Sequence, residues 1–242
     1  MKGLIARVLQ KQGPVWLKEH LDSYPLDSVC EWVGDGSGAA FFDVHKINKY
    51  TPKKSFLRPY GHFDGRKAGA DYFSALTAFR LARAEAGIEG PIAAVIFVHD
   101  ADEQGDSRRE GLEQARSVAV RESNFRVVLG CPDMEREAWV LAGFEPEHKT
   151  EQQRLDEERR ALGFCPCIEA HRLRDNDDHA PRSPKRALMA LTSGDSSREE
   201  KCWAEAPLDR LKQRGESSGL RAFLEEIEKE LVPLFSSAPS AS

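Results

Sequence analysis

The sequence predicts an α/β fold: a mostly parallel sheet flanked by helices, followed by a helical C-terminal extension. Three observations predict it. The run Pro91-Ile-Ala-Ala-Val-Ile-Phe-Val98 is apolar and bounded by turn residues, the pattern of a strand buried on both faces of a parallel sheet. Helical and strand patterns alternate from Leu4 to Phe144, as successive βα units require. Beyond Glu145 that alternation gives way to charged helical patterns. The chain therefore divides into an α/β domain over 1–145, a mainly helical extension over 146–235 and a small, polar tail over 236–242 of disordered composition.

The elements follow in order. Leu4, Ile5, Val8 and Leu9 recur at helical spacing, so the chain opens in a helix, stopped by Gln12-Gly13-Pro14. Val15 to Leu21 adds another turn or two. Ser28 to Val33 reads as a strand because Val29, Trp32 and Val33 favour one. The following Gly34-Asp-Gly-Ser-Gly38 reads either as a phosphate cradle or as a flexible turn, and it matches neither G-x-G-x-x-G nor a P-loop. Tyr50 to Lys67 reads as a loop. Asp71 to Gly87 is a helix with Tyr72, Leu76, Phe79 and Leu81 on its apolar side. The strand ending at Asp100 comes next, then a helix over Arg108 to Glu122 with Leu112, Ala115, Val118 and Ala119 inward. Phe125 to Leu129 is a strand, and Cys131-Pro-Asp133 caps a helix over Met134 to Gly143. In the extension, Glu151 to Leu162 is a charged, solvent-facing helix and Arg172 to Ser183 a polar loop. Helices over Pro184–Leu191 and Arg198–Trp203 follow. Leu220, Phe223, Leu224, Ile227 and Leu231 then mark an amphipathic final helix stopped near Pro233.

Composition narrows the function. A net charge of −5 gives no whole-chain attraction to nucleic acid, so such binding needs a local basic patch. The best one interleaves Lys53, Lys54, Arg58, Arg66 and Lys67 with Phe56, Tyr60 and Phe63, cations for phosphates and rings for bases. The bland alternative is a solvated loop with a few buried aromatics. No apolar run approaches the roughly 20 residues that cross a bilayer, and no signal peptide is seen at the N-terminus. Five irregularly spaced cysteines suit a reducing compartment, so a cytoplasmic location is expected.

The sharpest chemical signal is the strand end. In α/β sheets ligands bind beyond the carboxyl ends of the strands. Asp100 and Asp102, spaced i, i+2, would point the same way if the chain stays extended. With Asp106 they form an oxygen ligand set for Mg²⁺ or Mn²⁺, and such an ion stabilises charge on a phosphoryl group. The plain alternative is an acidic loop capping the next helix. Glu135 and Glu137 emerge at the same sheet edge, either to extend a metal site or to cap their helix. Lys185 and Arg186, after Ser183-Pro184, can aim positive charge at a phosphate or form an ordinary surface pair. Cys165-Pro-Cys167 with His171 reads either as part of a zinc site or as small buried residues.

Val95-Ile-Phe-Val-His-Asp-Ala-Asp102 and Glu135-Arg-Glu-Ala-Trp139 resemble elements of the Toprim domain of topoisomerases, primases and overcoming-lysogenization-defect nucleases. The likeness is particularly to small Toprim-like proteins found beside ATPases in bacterial defence clusters. Ser183–Ala187 and Arg198–Trp203 are less specifically similar. The resemblance implies metal-dependent phosphodiester chemistry in anti-phage defence. Asp100, Asp102, Glu135 and Lys185 would be catalytic, and Asp100, Asp102, Asp106 and Glu137 would hold Mg²⁺ (or Mn²⁺). It also implies nucleic acid and an ATPase as partners, and leaves self-association open. Toprim domains open with a strand ending in a glutamate, and no such strand precedes Leu4. Either the given chain starts inside the domain, or Glu31 substitutes, or the site is degenerate. Two other functions compete: a non-catalytic Toprim-like subunit that binds a partner ATPase, and a glycosyltransferase using D-x-D to hold a nucleotide-sugar diphosphate.

Overall fold

The computed structural model describes residues 1–34, 43, 62–89 and 92–236. Its helices are α1 (Lys2–Gln12), α2 (Val15–Leu21), α3 (Tyr72–Glu89), α4 (Gly105–Glu122), α5 (Glu137–Gly143), α6 (Lys149–Leu162), α7 (Pro184–Thr192), α8 (Ser196–Ala204), α9 (Leu208–Arg214) and α10 (Leu220–Glu230). A hairpin, β1 (His62–Phe63) and β2 (Arg66–Lys67), precedes α3, and the central strands are β3 (Ala94–Val98) and β4 (Arg126–Gly130). The chain is mixed α/β and mostly helical, with a small parallel sheet.

β3 and β4 pair in parallel, Ala94 opposite Arg126 through Val98 opposite Gly130. Successive side chains of a strand face opposite ways, and here each way meets a core. Phe97, Val127 and Leu129 pack with Tyr72, Leu76 and Phe79 of α3 and Leu112, Ala115 and Ala119 of α4. Val128, with the half-buried Ala94, Ile96 and Val98, packs with Leu4, Ile5, Val8 and Leu9 of α1 and Phe223, Leu224 and Ile227 of α10. The result is a helix–sheet–helix sandwich in which the first and last helices share one layer. The texture change at residue 145 therefore does not separate the cores, since α10 lies on β4 and α1. A further core joins α5 to α6, α7 and α8 through Val140, Leu141, Phe144, Leu155, Leu162, Leu188 and Leu191.

Close backbone approaches fix these layers. Gly69 and Gly111 face each other where the loop before α3 crosses α4, and a Cβ on Gly111 would collide with the Ala70 carbonyl oxygen. Trp139, fully buried, stacks on Phe223 with ring centroids 5.1 Å apart and donates its indole N–H to the Ser218 carbonyl at 2.7 Å.

Several expectations are corrected. Ser28 to Val33 is not a strand. Leu26–Ser28 is a 3-10 turn closed by the Val29 and Cys30 N–H groups on the Leu26 carbonyl, and irregular chain follows to Gly34. Glu31, exposed there, stands at no strand end. The supposed loop ending at Lys67 contains the β1–β2 hairpin, whose Asp64-Gly65 turn has both residues at positive φ, the pairing that tight hairpins favour. The helix assigned to Met134–Gly143 starts only at Glu137. α6 is not simply solvent-facing: Glu151, Leu155, Glu158 and Leu162 are buried. Its carboxylates are matched, Glu151 to Arg198 at 2.8 Å and Glu158 to Arg186 at 2.8 Å. α9, just after Pro207, was not anticipated. The glycine-rich Asp35–Gly38 and all of the tail after Ser236 lie outside the described residues.

Candidate functional site

The parallel pairing brings the loops after β3 and β4 to one edge. The ladder continues past both strands: the His99 N–H reaches the Gly130 carbonyl at 3.0 Å and the Ala101 N–H the Pro132 carbonyl at 2.8 Å. The Asp133 N–H in turn donates to the Ser218 carbonyl at 3.0 Å, so the stretch before α10 sets the second loop. Four predicted carboxylates, Asp100, Asp102, Glu135 and Glu137, gather around this edge. Their mutual field is visible in Asp100. Burial pushes its carboxyl up to about 6, and Glu137, Asp102 and Glu135 push the same way.

The two aspartates do not project in parallel. Ala101 has helical backbone angles (φ −71, ψ −28), and Asp102 turns into the left-handed region at φ 45, so the extended i, i+2 register is lost. Asp tolerates that region better than most residues. The turn delivers Asp102 to Arg108, whose Nη1 lies 2.7 Å from Oδ2. Arg108 also donates to the Asp71 carboxylate and to the Asp100 carbonyl. Asp71 itself sits at φ 58. Two aspartates in strained backbone thus grip one guanidinium, and strain of this kind concentrates at functional sites.

Glu135 is 8% exposed, on the loop just before α5. Its Oε1 pairs with the Lys185 ammonium at 2.9 Å, while its Oε2 is buried without a hydrogen-bond partner. Burial raises the Glu135 carboxyl, and Lys185 partly offsets that. Lys185 also meets Asp178 at 3.1 Å, and its hydrogen bond to Glu135 leads the causes that raise its own pKa. Asp102, Gln104, Arg108, Glu135 and Asn176 line a cleft of about 420 Å³.

The remaining sequence candidates fall elsewhere. Asp106 is fully exposed and leans on Arg109 at 3.5 Å; it lies outward from the cleft because α4 begins at Gly105 and turns it to solvent. Lys53, Lys54 and Arg58 lie outside the described residues, while Arg66 and Lys67 are exposed on β2. Cys165 is half-buried and Cys167 buried. The Cys167 thiol and neighbouring N–H groups draw the Cys165 thiol down to about 6. Among the described residues no three His, Cys, Asp or Glu side chains stand close enough, as placed, to hold a metal ion. That holds for the cysteines and for the strand-end carboxylates, two of which are drawn onto their own cations.

Sequence reading missed Arg108, Asp71 and Asp133. Arg108 carried a signal: a cation in the first turn of a helix opposes the helix dipole and needs a compensating partner. Asp133, 13% exposed, joins Arg109 at 3.3 Å and Arg174 at 2.7 Å, tying the loop after β4 to the 172–183 segment. Among the described residues no helix is long and apolar enough to cross a membrane. In comparisons with protein-family models, curated proteins and solved structures, nothing matches this chain.

Proposed function

We propose that this chain is a divalent-cation-dependent, nuclease-like protein acting on nucleic-acid phosphodiesters at the β3–β4 edge. The observation that carries the reading is acidity gathered beside cations at one sheet edge: Asp100 raised by burial and then by three neighbouring carboxylates, and Glu135 buried with one oxygen unpartnered beside Lys185. The donor set is all oxygen, as hard cations require. No three of Asp100, Asp102, Glu135 and Glu137 converge on one point, so holding Mg²⁺ or Mn²⁺ there would require Asp102 and Glu135 to leave Arg108 and Lys185. Bound there, such an ion stabilises charge developing on a phosphoryl group and acidifies water. The chain's own residues do the rest. Arg108 fixes the Asp100–Asp102 turn from a buried position. Asp100, poised near neutrality, is suited to hold or release a proton. Lys185 offers an ammonium to a phosphate oxygen. The Toprim-like expectation and a role in anti-phage defence are extensions of the same reading.

A second reading has its own observation. Asp102 is committed to Arg108, which fits a non-catalytic subunit folded around a relic site and binding a partner such as an ATPase. One experiment separates them. Supercoiled DNA and single-stranded RNA are incubated with the protein in Mg²⁺, Mn²⁺ or EDTA. Metal-dependent cleavage lost in Asp100→Ala and Asp102→Ala supports the nuclease; cleavage undiminished in EDTA or in both variants refutes it.

A further inference from the structure

The turn after α6 holds two cysteines whose sulfurs meet. α6 is capped by Gly163, and Cys165 then opens a tight turn in which its carbonyl accepts the Ile168 and Glu169 N–H groups at 3.1 and 2.9 Å. Pro166 lies between the cysteines, fixing its own φ and bringing no N–H. The turn aims three donors at the Cys165 sulfur: the Cys167 thiol and the N–H groups of Cys167 and Ile168. The two cysteines differ in exposure. Cys167 is 2% exposed and shares a core with Val140 and Leu141 of α5. Cys165 is half-buried at the rim of that core, and Ile168 of the same turn is exposed. Solutes therefore reach the first cysteine and not the second. Charge follows the same division. The Cys167 thiol, the two N–H groups and Arg159 of α6 bring the Cys165 thiol down to about 6, against the effect of burial. The same thiol–sulfur hydrogen bond, then burial, keeps the proton on Cys167; Cys202 of α8 adds to this and Arg214 of α9 opposes it.

We propose that Cys165 and Cys167 form a redox-active dithiol whose oxidant is a small disulfide, with Cys165 as the attacking thiol and Cys167 as the resolving one. A thiol poised near ambient pH is the best attacker in such an exchange. The Cys165 thiolate attacks one sulfur of the small disulfide. That S–S bond breaks, a mixed disulfide forms on Cys165, and one thiolate leaves and takes a proton from water. Cys165 then no longer accepts from Cys167, which removes the leading cause that keeps the Cys167 proton in place. The Cys167 sulfur gives that proton to water and attacks the Cys165 sulfur, and the second small thiolate departs and is protonated. In total two protein thiols are oxidised, and one small disulfide is reduced to two thiols. The chain can close this bond. Two residues of extended backbone span at most about 7 Å, and the hydrogen-bonded turn shortens that, into the roughly 4.4–6.8 Å between Cα atoms that a disulfide bridges. So small a ring gains less from chain entropy than a long one, which keeps the bond reducible. The inference stands apart from the phosphodiester reading, since no residue of the acidic edge takes part.

The test uses the full chain, reduced and then freed of reductant. It is incubated with oxidised glutathione and digested with trypsin, and the peptide 161–172 carries both cysteines. In the wild type that peptide loses two hydrogens, retains no glutathione, and regains the hydrogens in dithiothreitol. Cys167→Ala traps glutathione on Cys165, Cys165→Ser loses both products, and Cys202→Ala reacts as the wild type does. The rate in the folded protein has its midpoint at about pH 6; in urea the midpoint moves up to the ordinary thiol range, because the turn creates the reactivity. A wild-type peptide that stays reduced overturns the inference. So does one that keeps glutathione without closing, closure onto Cys202, or the same midpoint with and without urea. These four readings need only wild-type protein, so a folding defect in Cys167→Ala leaves the test standing.

Discussion

Replacing Asp100 by asparagine should make the metal-free protein more stable. The Asp100 carboxyl is raised from its ordinary 3.8 to about 6 by burial and by Glu137, Asp102 and Glu135. A carboxyl raised on folding favours the native state while it is protonated. That contribution is whole below about pH 4 and is lost as pH rises through about 6. Above that, the native protein carries an ill-placed charge. Two units correspond to about 3 kcal/mol, and partial solvent access lowers this to roughly 2 kcal/mol. Asparagine has the shape of the neutral acid without its titration. At pH 7.5 in EDTA, Asp100→Asn should gain roughly 2 kcal/mol, or about 4–8 °C in Tm for a chain of this size. By pH 4 most of the gain should be gone. Thermal melts followed by circular dichroism at both pH values decide it. No gain at pH 7.5, or an equal gain at pH 4, would refute the argument that burial and the neighbouring carboxylates disfavour the charged Asp100. Saturating Mg²⁺ should narrow the difference at pH 7.5, because the cation favours the charged residue.

Other perturbations test the surrounding frame. Arg108→Ala leaves Asp71 and Asp102 without their shared cation and should cost about 3 kcal/mol in urea unfolding; Arg108→Lys, lacking the planar fork, should recover little of it. Gly111→Ala drives a methyl group into the Ala70 carbonyl and should cost about 1–3 kcal/mol, with backbone displacement between Gly69 and Asp71 visible by hydrogen exchange. Cys165 should be alkylated by iodoacetamide at pH 7, since its thiol lies at about 6, while Cys202, at about 11, and the raised Cys167 stay unmodified; peptide mass spectrometry reports the order, and preferential labelling of Cys202 would contradict it.

The strand ending at Val98 and its partner were legible because an uninterrupted apolar run has few other places to go, and β4 lies within one residue of its predicted position. The joining of Asp100 and Asp102 with Glu135 and Glu137 followed from parallel pairing alone. What the sequence hid is how the aspartates turn. Alternation assumes extended backbone, and whether Asp102 adopts φ 45 depends on Arg108, six residues on, and on Asp71, which arrives from the turn before α3. The false strand at Ser28–Val33 shows the same limit. Val29, Trp32 and Val33 favour a strand, but the Leu26 carbonyl had already taken the local N–H groups into a turn. The hairpin at Asp64-Gly65 is the reverse case: its turn signal stands in the sequence, within a stretch that reads as a loop from Tyr50 to Lys67.

The shared layer of α1 and α10 has a consequence for how the protein is made. β4 presents Val128 to a face that Phe223, Leu224 and Ile227 must cover, and Ser218 anchors both Trp139 and Asp133. A nascent chain halted on the ribosome before residue 218 thus holds every carboxylate of the cleft yet lacks the backbone that seats them. Assembly of the acidic edge therefore waits until residue 218 and α10 have been made, and shorter products carry no finished site.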